Sequence, residues 1–127
     1  MSKKTILLVD DDPGFVEAVK VVLAGAGYAV ETALDGNEGG MKAAECHPDL
    51  IILDVMMPGK DGFELCSELK KDPARSDIPV IMLTAVGENI PRSRYSVSDG
   101  MSLEAEDYIP KPVMPDVLLD RIRALLK

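Results

Sequence analysis

Clustered basic charge is what this chain most lacks. Fourteen lysines and arginines stand against 22 aspartates and glutamates, a formal net charge of −8, and no stretch gathers the positive face that a phosphate backbone demands. No direct binding of nucleic acid is therefore expected, and any effect on DNA would need another chain. Cysteine is scarce as well. Cys46 and Cys66 lie far apart, without CxxC or Cys/His spacing, so buried reduced thiols are expected in place of a disulfide or a metal site. The only histidine, His47, precedes Pro48 in a connecting loop and reads as a surface residue. No apolar run is long enough to cross a bilayer, and Met1-Ser2-Lys3-Lys4 leads into a strand-like stretch ending at Asp10, not into a cleavable signal. A cytoplasmic location is the expectation. Linkers rich in serine and glycine, internal repeats and low-complexity tracts are also missing, so residues 1–127 are expected to form one domain with no output domain attached.

What is present is an alternation. Residues 6–9, 28–32, 50–53 and 80–83 read as strands, and the first, third and fourth are unbroken apolar runs of the kind buried on both faces. Between them Val16, Val19, Leu23 and Ala26 recur at helical spacing, as do Phe63, Leu65, Cys66 and Leu69, and finally Leu118, Ile122 and Leu125. Asp12-Pro13 reads as a helix cap with a first-turn proline, Gly27 as a helix end, and Pro115-Asp116 as the start of the last helix. With a short fifth strand at 108–110, strand alternating with helix implies right-handed crossovers and an α/β doubly wound parallel sheet covered on both faces.

In such a sheet, ligands bind beyond the carboxyl ends of the strands. The polar residues there are Asp10, Asp11 and Asp12 after the first strand, Asp54 after the third, Thr84 after the fourth and Lys111 after the fifth. Three carboxylates at one edge, Asp10, Asp11 and Asp54, repel one another and raise their pKa values unless a cation intervenes. Mg2+ suits them, because it takes one or two carboxylates directly and keeps positions open for water and phosphate oxygens. Lys111 supplies a compact positive charge and Thr84 a hydroxyl donor, which together could hold a transferring phosphoryl group. The attacking atom would be a carboxylate oxygen of Asp54.

Four blocks carry a resemblance. Ile6-Leu7-Leu8-Val9-Asp10-Asp11-Asp12-Pro13, Leu53-Asp54-Val55-Met56-Met57-Pro58-Gly59-Lys60-Asp61-Gly62, Pro79-Val80-Ile81-Met82-Leu83-Thr84-Ala85 and Asp107-Tyr108-Ile109-Pro110-Lys111-Pro112 resemble the signature blocks of response-regulator receivers of bacterial two-component systems. The resemblance covers nearly the whole chain. It implies a flavodoxin-like strand order 2-1-3-4-5, phosphorylation of Asp54, and Mg2+ held directly by Asp11 and Asp54, through water by Asp10, and by the carbonyl of Met56. It further implies phosphoryl contacts from Thr84 and Lys111, a switch pair in Thr84 and Tyr108, and a Lys111-Pro112 bond that is often cis. The implied partners are a sensor histidine kinase or phosphotransfer protein, which would carry the phosphohistidine, and a downstream target protein. A phosphorylation-dependent dimer is allowed, and neither nucleic acid nor membrane is expected.

Several residues have plainer readings. Asp12 is a helix cap in preference to a metal ligand, Asp61-Gly62 is turn and helix-start chemistry, and the methionines at 56, 57 and 82 fill core or follow family habit. A phosphatase with an aspartate nucleophile, of the haloacid-dehalogenase type, would need DxDxT, whereas Asp54 is followed by Val55-Met56-Met57. A degenerate receiver that only binds proteins would have lost an acid or the lysine, and none is lost. The expected protein is not a turnover enzyme, although it assists its own phosphorylation and slow dephosphorylation, the slowness resting on apolar Met56 and Val86. It departs from the family between Thr84 and Lys111, where the spacing is long. Residues 86–106 contain Gly87, Pro91, Gly100 and four serines, poor material for the fourth helix, and Glu104 stands where the family's loop commonly has glycine. An atypical fourth helix is expected, irregular over 87–100, with at most a short helix near 98–105.

Overall fold

A computed structural model describes residues 3–57, 59–84 and 105–126. Its strands are β1 (Thr5–Val9), β2 (Ala29–Ala33), β3 (Leu50–Asp54), β4 (Val80–Thr84) and β5 (Asp107–Pro110). They pair in parallel in the order β2-β1-β3-β4-β5, as the resemblance implies. The described helices are α1 (Pro13–Gly25), α2 (Gly36–Cys46), α3 (Gly62–Lys71) and a C-terminal helix (Pro115–Leu125). The expectations for residues 86–104, including the atypical fourth helix and the role of Val86, lie outside the described residues.

Strand periodicity separates two cores. Leu7 and Val9, Ile51 and Leu53, and Val80 and Met82 face α2 and α3, where Ala43, Leu65, Cys66 and Leu69 meet them. Their neighbours Ile6, Leu8, Leu50, Ile52, Ile81 and Leu83 face Val16, Val19 and Leu23 of α1, with Leu118 and Ile122 of the C-terminal helix. All twelve of these strand residues are fully or almost fully buried, which is why β1, β3 and β4 read as continuous apolar runs. β2, an edge strand, is only half-buried over most of its length and begins one residue later than its sequence suggests.

The sequence pattern does not announce α2, because Gly36, Gly39 and Gly40 stand where a helix former is expected. Packing explains Gly39. A Cβ there would lie 3.0 Å from Val9 Cγ2 and 3.1 Å from Leu65 Cδ2, so the glycine lets α2 approach the sheet. α1 and α3 start at their aspartate caps, and the C-terminal helix starts at Pro115 as expected, without a side-chain cap. The Asp12 carboxylate accepts from the Gly14 and Phe15 amides at 3.0 and 3.3 Å, and that of Asp61 accepts from Glu64 N–H at 2.9 Å. His47, exposed and in the left-handed region at φ 46°, closes α2. Cys66 is buried as expected, but Cys46 is only half-buried, and neither forms a disulfide.

Candidate functional site

Register places the reactive groups at one edge. Val9 pairs with Leu53, Asp54 with Leu83, and Thr84 with Pro110, so the carboxyl ends of β1, β3, β4 and β5 lie side by side. Asp10 follows β1 and is fully buried. Its carboxylate is compensated on both oxygens: Oδ1 accepts from Asp12 N–H at 3.0 Å and Oδ2 from Lys111 Nζ at 3.0 Å. Asp54 ends β3, is 5% exposed, and holds Oδ1 3.6 Å from the same ammonium. Its Oδ1 also accepts from Met56 N–H, at a long 3.4 Å. Asp11 is exposed beside them, and one carboxylate oxygen from each of Asp10, Asp11 and Asp54 lies within 4.8 Å of the others.

Lys111 is fixed from two ends. Its N–H donates to the Thr84 carbonyl at 2.6 Å, and its side chain reaches back to Asp10 and Asp54. The Lys111-Pro112 bond is cis, as the resemblance suggested. Thr84 is buried at the end of β4. Tyr108 pairs with Met82, packs half-buried against the α2/α3 core, and its hydroxyl accepts from Ala105 N–H at 3.4 Å. The Met56 side chain projects into solvent two residues past Asp54.

Burial pushes the Asp54 carboxyl up to about 6, with Asp10 adding repulsion, while Lys111 and the Met56 N–H hold it down. At neutral pH it is still mostly ionised, as a carboxylate nucleophile must be. Burial alone would lower the Lys111 ammonium, but Asp10 and Asp54 outweigh it and its pKa is raised. Two of the three clustered carboxylates, Asp10 and Asp54, therefore share the Lys111 ammonium, and Asp11 adds a further negative charge beside them. The excess negative charge and the gathered oxygen donors fit a hard divalent cation such as Mg2+.

Two contacts escaped the sequence reading. The Asp12 N–H that serves Asp10 is a backbone donor, invisible to residue-type reasoning. The Phe15 ring lies 4.5 Å beneath Lys111 Nζ. Its only signal was its place in the first turn of a helix whose cap follows the acidic pair.

The doubly wound sheet and its acidic edge define the class of a receiver fold. The family model of the response regulator receiver domain matches residues 6–123. The chain belongs to that family, the receiver domain of two-component response regulators. Among solved structures it is similar to a response regulator from Chloroflexus aurantiacus, with TM-score 0.85 and 37% identity over 98% of each chain. It is also similar to the chemotaxis protein CheY4 of Vibrio cholerae, with TM-score 0.85 and 33% identity over 98% of this chain and 100% of the other. Among curated proteins it is 43% identical to the DNA-binding dual master transcriptional regulator RpaA of Synechocystis sp., over 96% of this chain and 48% of that protein. It is 37% identical to the DNA-binding response regulator MtrA of Mycolicibacterium smegmatis, over 98% of this chain and 51% of the other. The chain spans about half the length of the curated relatives it matches.

These relatives overturn the expectation that nucleic acid plays no direct part and that any effect on DNA needs another chain. RpaA and MtrA are DNA-binding regulators, and each carries a region like this one within its own polypeptide. The charge argument weighed these 127 residues alone, whereas in those proteins the matching region is about half of a DNA-binding chain. No described helix is long and apolar enough to cross a membrane.

Proposed function

We propose that Asp54 accepts a phosphoryl group from a phosphohistidine of a partner kinase or phosphotransfer protein. An Asp54 carboxylate oxygen attacks phosphorus, the bond from phosphorus to the histidine nitrogen breaks, and an aspartyl phosphate forms while the partner's imidazole takes up a proton. The observation that carries this is a buried carboxylate 3.6 Å from an ammonium at the sheet's carboxyl edge, with two further acids beside it. Lys111 would balance charge on the phosphoryl oxygens, and Thr84 would donate its hydroxyl to one of them. Asp11, Asp54 and the Met56 carbonyl would hold Mg2+ directly, with Asp10 acting through water. When bound, the ion supplies charge neutralisation for the phosphoryl oxygens. Thr84 and Tyr108 would convey the phosphorylated state.

On this reading the 127 residues are one receiver domain, cytoplasmic, and not a turnover enzyme. DNA-binding relatives such as RpaA and MtrA support transcriptional control as the output. Incubation with phosphoramidate and Mg2+ tests the reading. One stable acyl phosphate on Asp54 is expected; continuous release of phosphate would indicate a phosphatase, and no label a receiver that only binds proteins.

A further inference from the structure

Lys111 carries a flexible four-carbon stem, and an ammonium is a point charge with no preferred plane. Something must hold it in line with Asp54. Its backbone N–H is fixed by the Thr84 carbonyl, and Asp10 Oδ2 draws Nζ from one side at 3.0 Å. An aromatic ring adds a further contact: Nζ lies over Phe15, 4.5 Å from its centroid, within the range where the negative face of an aromatic attracts a cation. Phe15 is itself placed by the site's own acidic run, since its amide donates to the Asp12 cap at 3.3 Å while the Asp12 amide donates to Asp10 at 3.0 Å.

We propose that Phe15 is a positioning residue for phosphoryl transfer, its ring face holding the Lys111 ammonium between Asp10 and Asp54. This rests on the phosphoacceptor reading of Asp54. The plainer role for Phe15 is packing, because its ring also lines an apolar cavity of about 180 Å³ with Ala18, Val22, Val113 and Leu118. The two roles separate by electronics: packing depends on the ring's shape, whereas holding a cation depends on the negative charge of its face.

The experiment places phenylalanine carrying one, two or three fluorines at position 15 of the full chain, which weakens the face and nearly preserves the shape. The rate of Asp54 labelling by phosphoramidate with Mg2+ is measured, along with the ring-current shift of the Lys111 ε-protons in the unphosphorylated, metal-free protein. The labelling rate should fall stepwise with fluorination, Phe15→Leu should label about three- to tenfold more slowly than wild type, and Phe15→Tyr should restore the rate. The upfield shift of the ε-protons should vanish in Phe15→Leu. Equal rates across the fluorinated series, with wild type labelling normally, would overturn the positioning role and leave the phosphoacceptor reading standing. Failure of wild type itself to label would overturn both.

Discussion

Replacing Asp54 by asparagine should make the metal-free protein more stable. The Asp54 carboxyl is raised from an ordinary 3.8 to about 6 by burial and by Asp10, so the folded state binds its proton more tightly than the unfolded chain does. For an acid raised in this way, ionisation costs stability: the cost is nil below pH 3.8, grows as pH rises, and is complete above about 6. That rise corresponds to about 3 kcal/mol. Asparagine keeps the size and the acceptor facing Met56 N–H but carries no charge, and Lys111 retains Asp10 at 3.0 Å. Asp54→Asn should therefore gain about 2–3 kcal/mol at pH 7.5 in EDTA, a rise in urea midpoint of about 1–2 M. The gain should shrink to near zero at pH 4, and saturating Mg2+ should narrow it at pH 7.5 by stabilising the wild type. A variant no more stable than wild type at pH 7.5, or a gap that persists unchanged at pH 4, would refute the reasoning.

Other changes probe the frame around the site. Gly62→Ala puts a Cβ 2.3 Å from the Asp54 carbonyl oxygen, a backbone clash that should cost about 2 kcal/mol or more in urea unfolding and slow Asp54 labelling. Asp12→Ala removes the α1 cap and should cost about 1 kcal/mol in the same assay, without abolishing Mg2+ binding, since Asp12 is a cap and no ligand. Lys70→Met should cost about 1–3 kcal/mol, because the largely buried ammonium joins the Ile78 carbonyl to Glu106 at 2.8 and 2.9 Å. Burial and then Glu31 raise the Cys46 thiol, so alkylation at pH 7 should be slower than for a free cysteine, and Cys66, buried in the core, slower still.

Much of this arrangement is legible in the sequence because it lives in local signals. Strands buried on both faces must be apolar throughout, so β1, β3 and β4 announce themselves, and the acids that follow β1 and end β3 can only fall at the sheet's carboxyl edge. Caps are local too, and Asp12 and Asp61 do what their contexts suggest. What the sequence hides is tertiary. α2 is obscured because Gly39 serves an approach to Val9 and Leu65 that no helix propensity records. The edge strand β2 slips by one residue because half-burial leaves its pattern weak. Phe15 beneath Lys111 joins residues brought together only by the crossover of α1 over the sheet. The error over nucleic acid had another origin, a net charge summed over a span that is about half of each of its DNA-binding relatives.

The central claim is that Asp54 is the phosphoacceptor, and mass spectrometry tests it most directly. Protein treated with phosphoramidate and Mg2+ should gain one phosphoryl group, which borohydride reduction converts to homoserine at position 54. EDTA should suppress the label, and Asp54→Asn should acquire none. A label located at another residue, or an Asp54→Asn variant labelled to the wild-type level, would contradict the account.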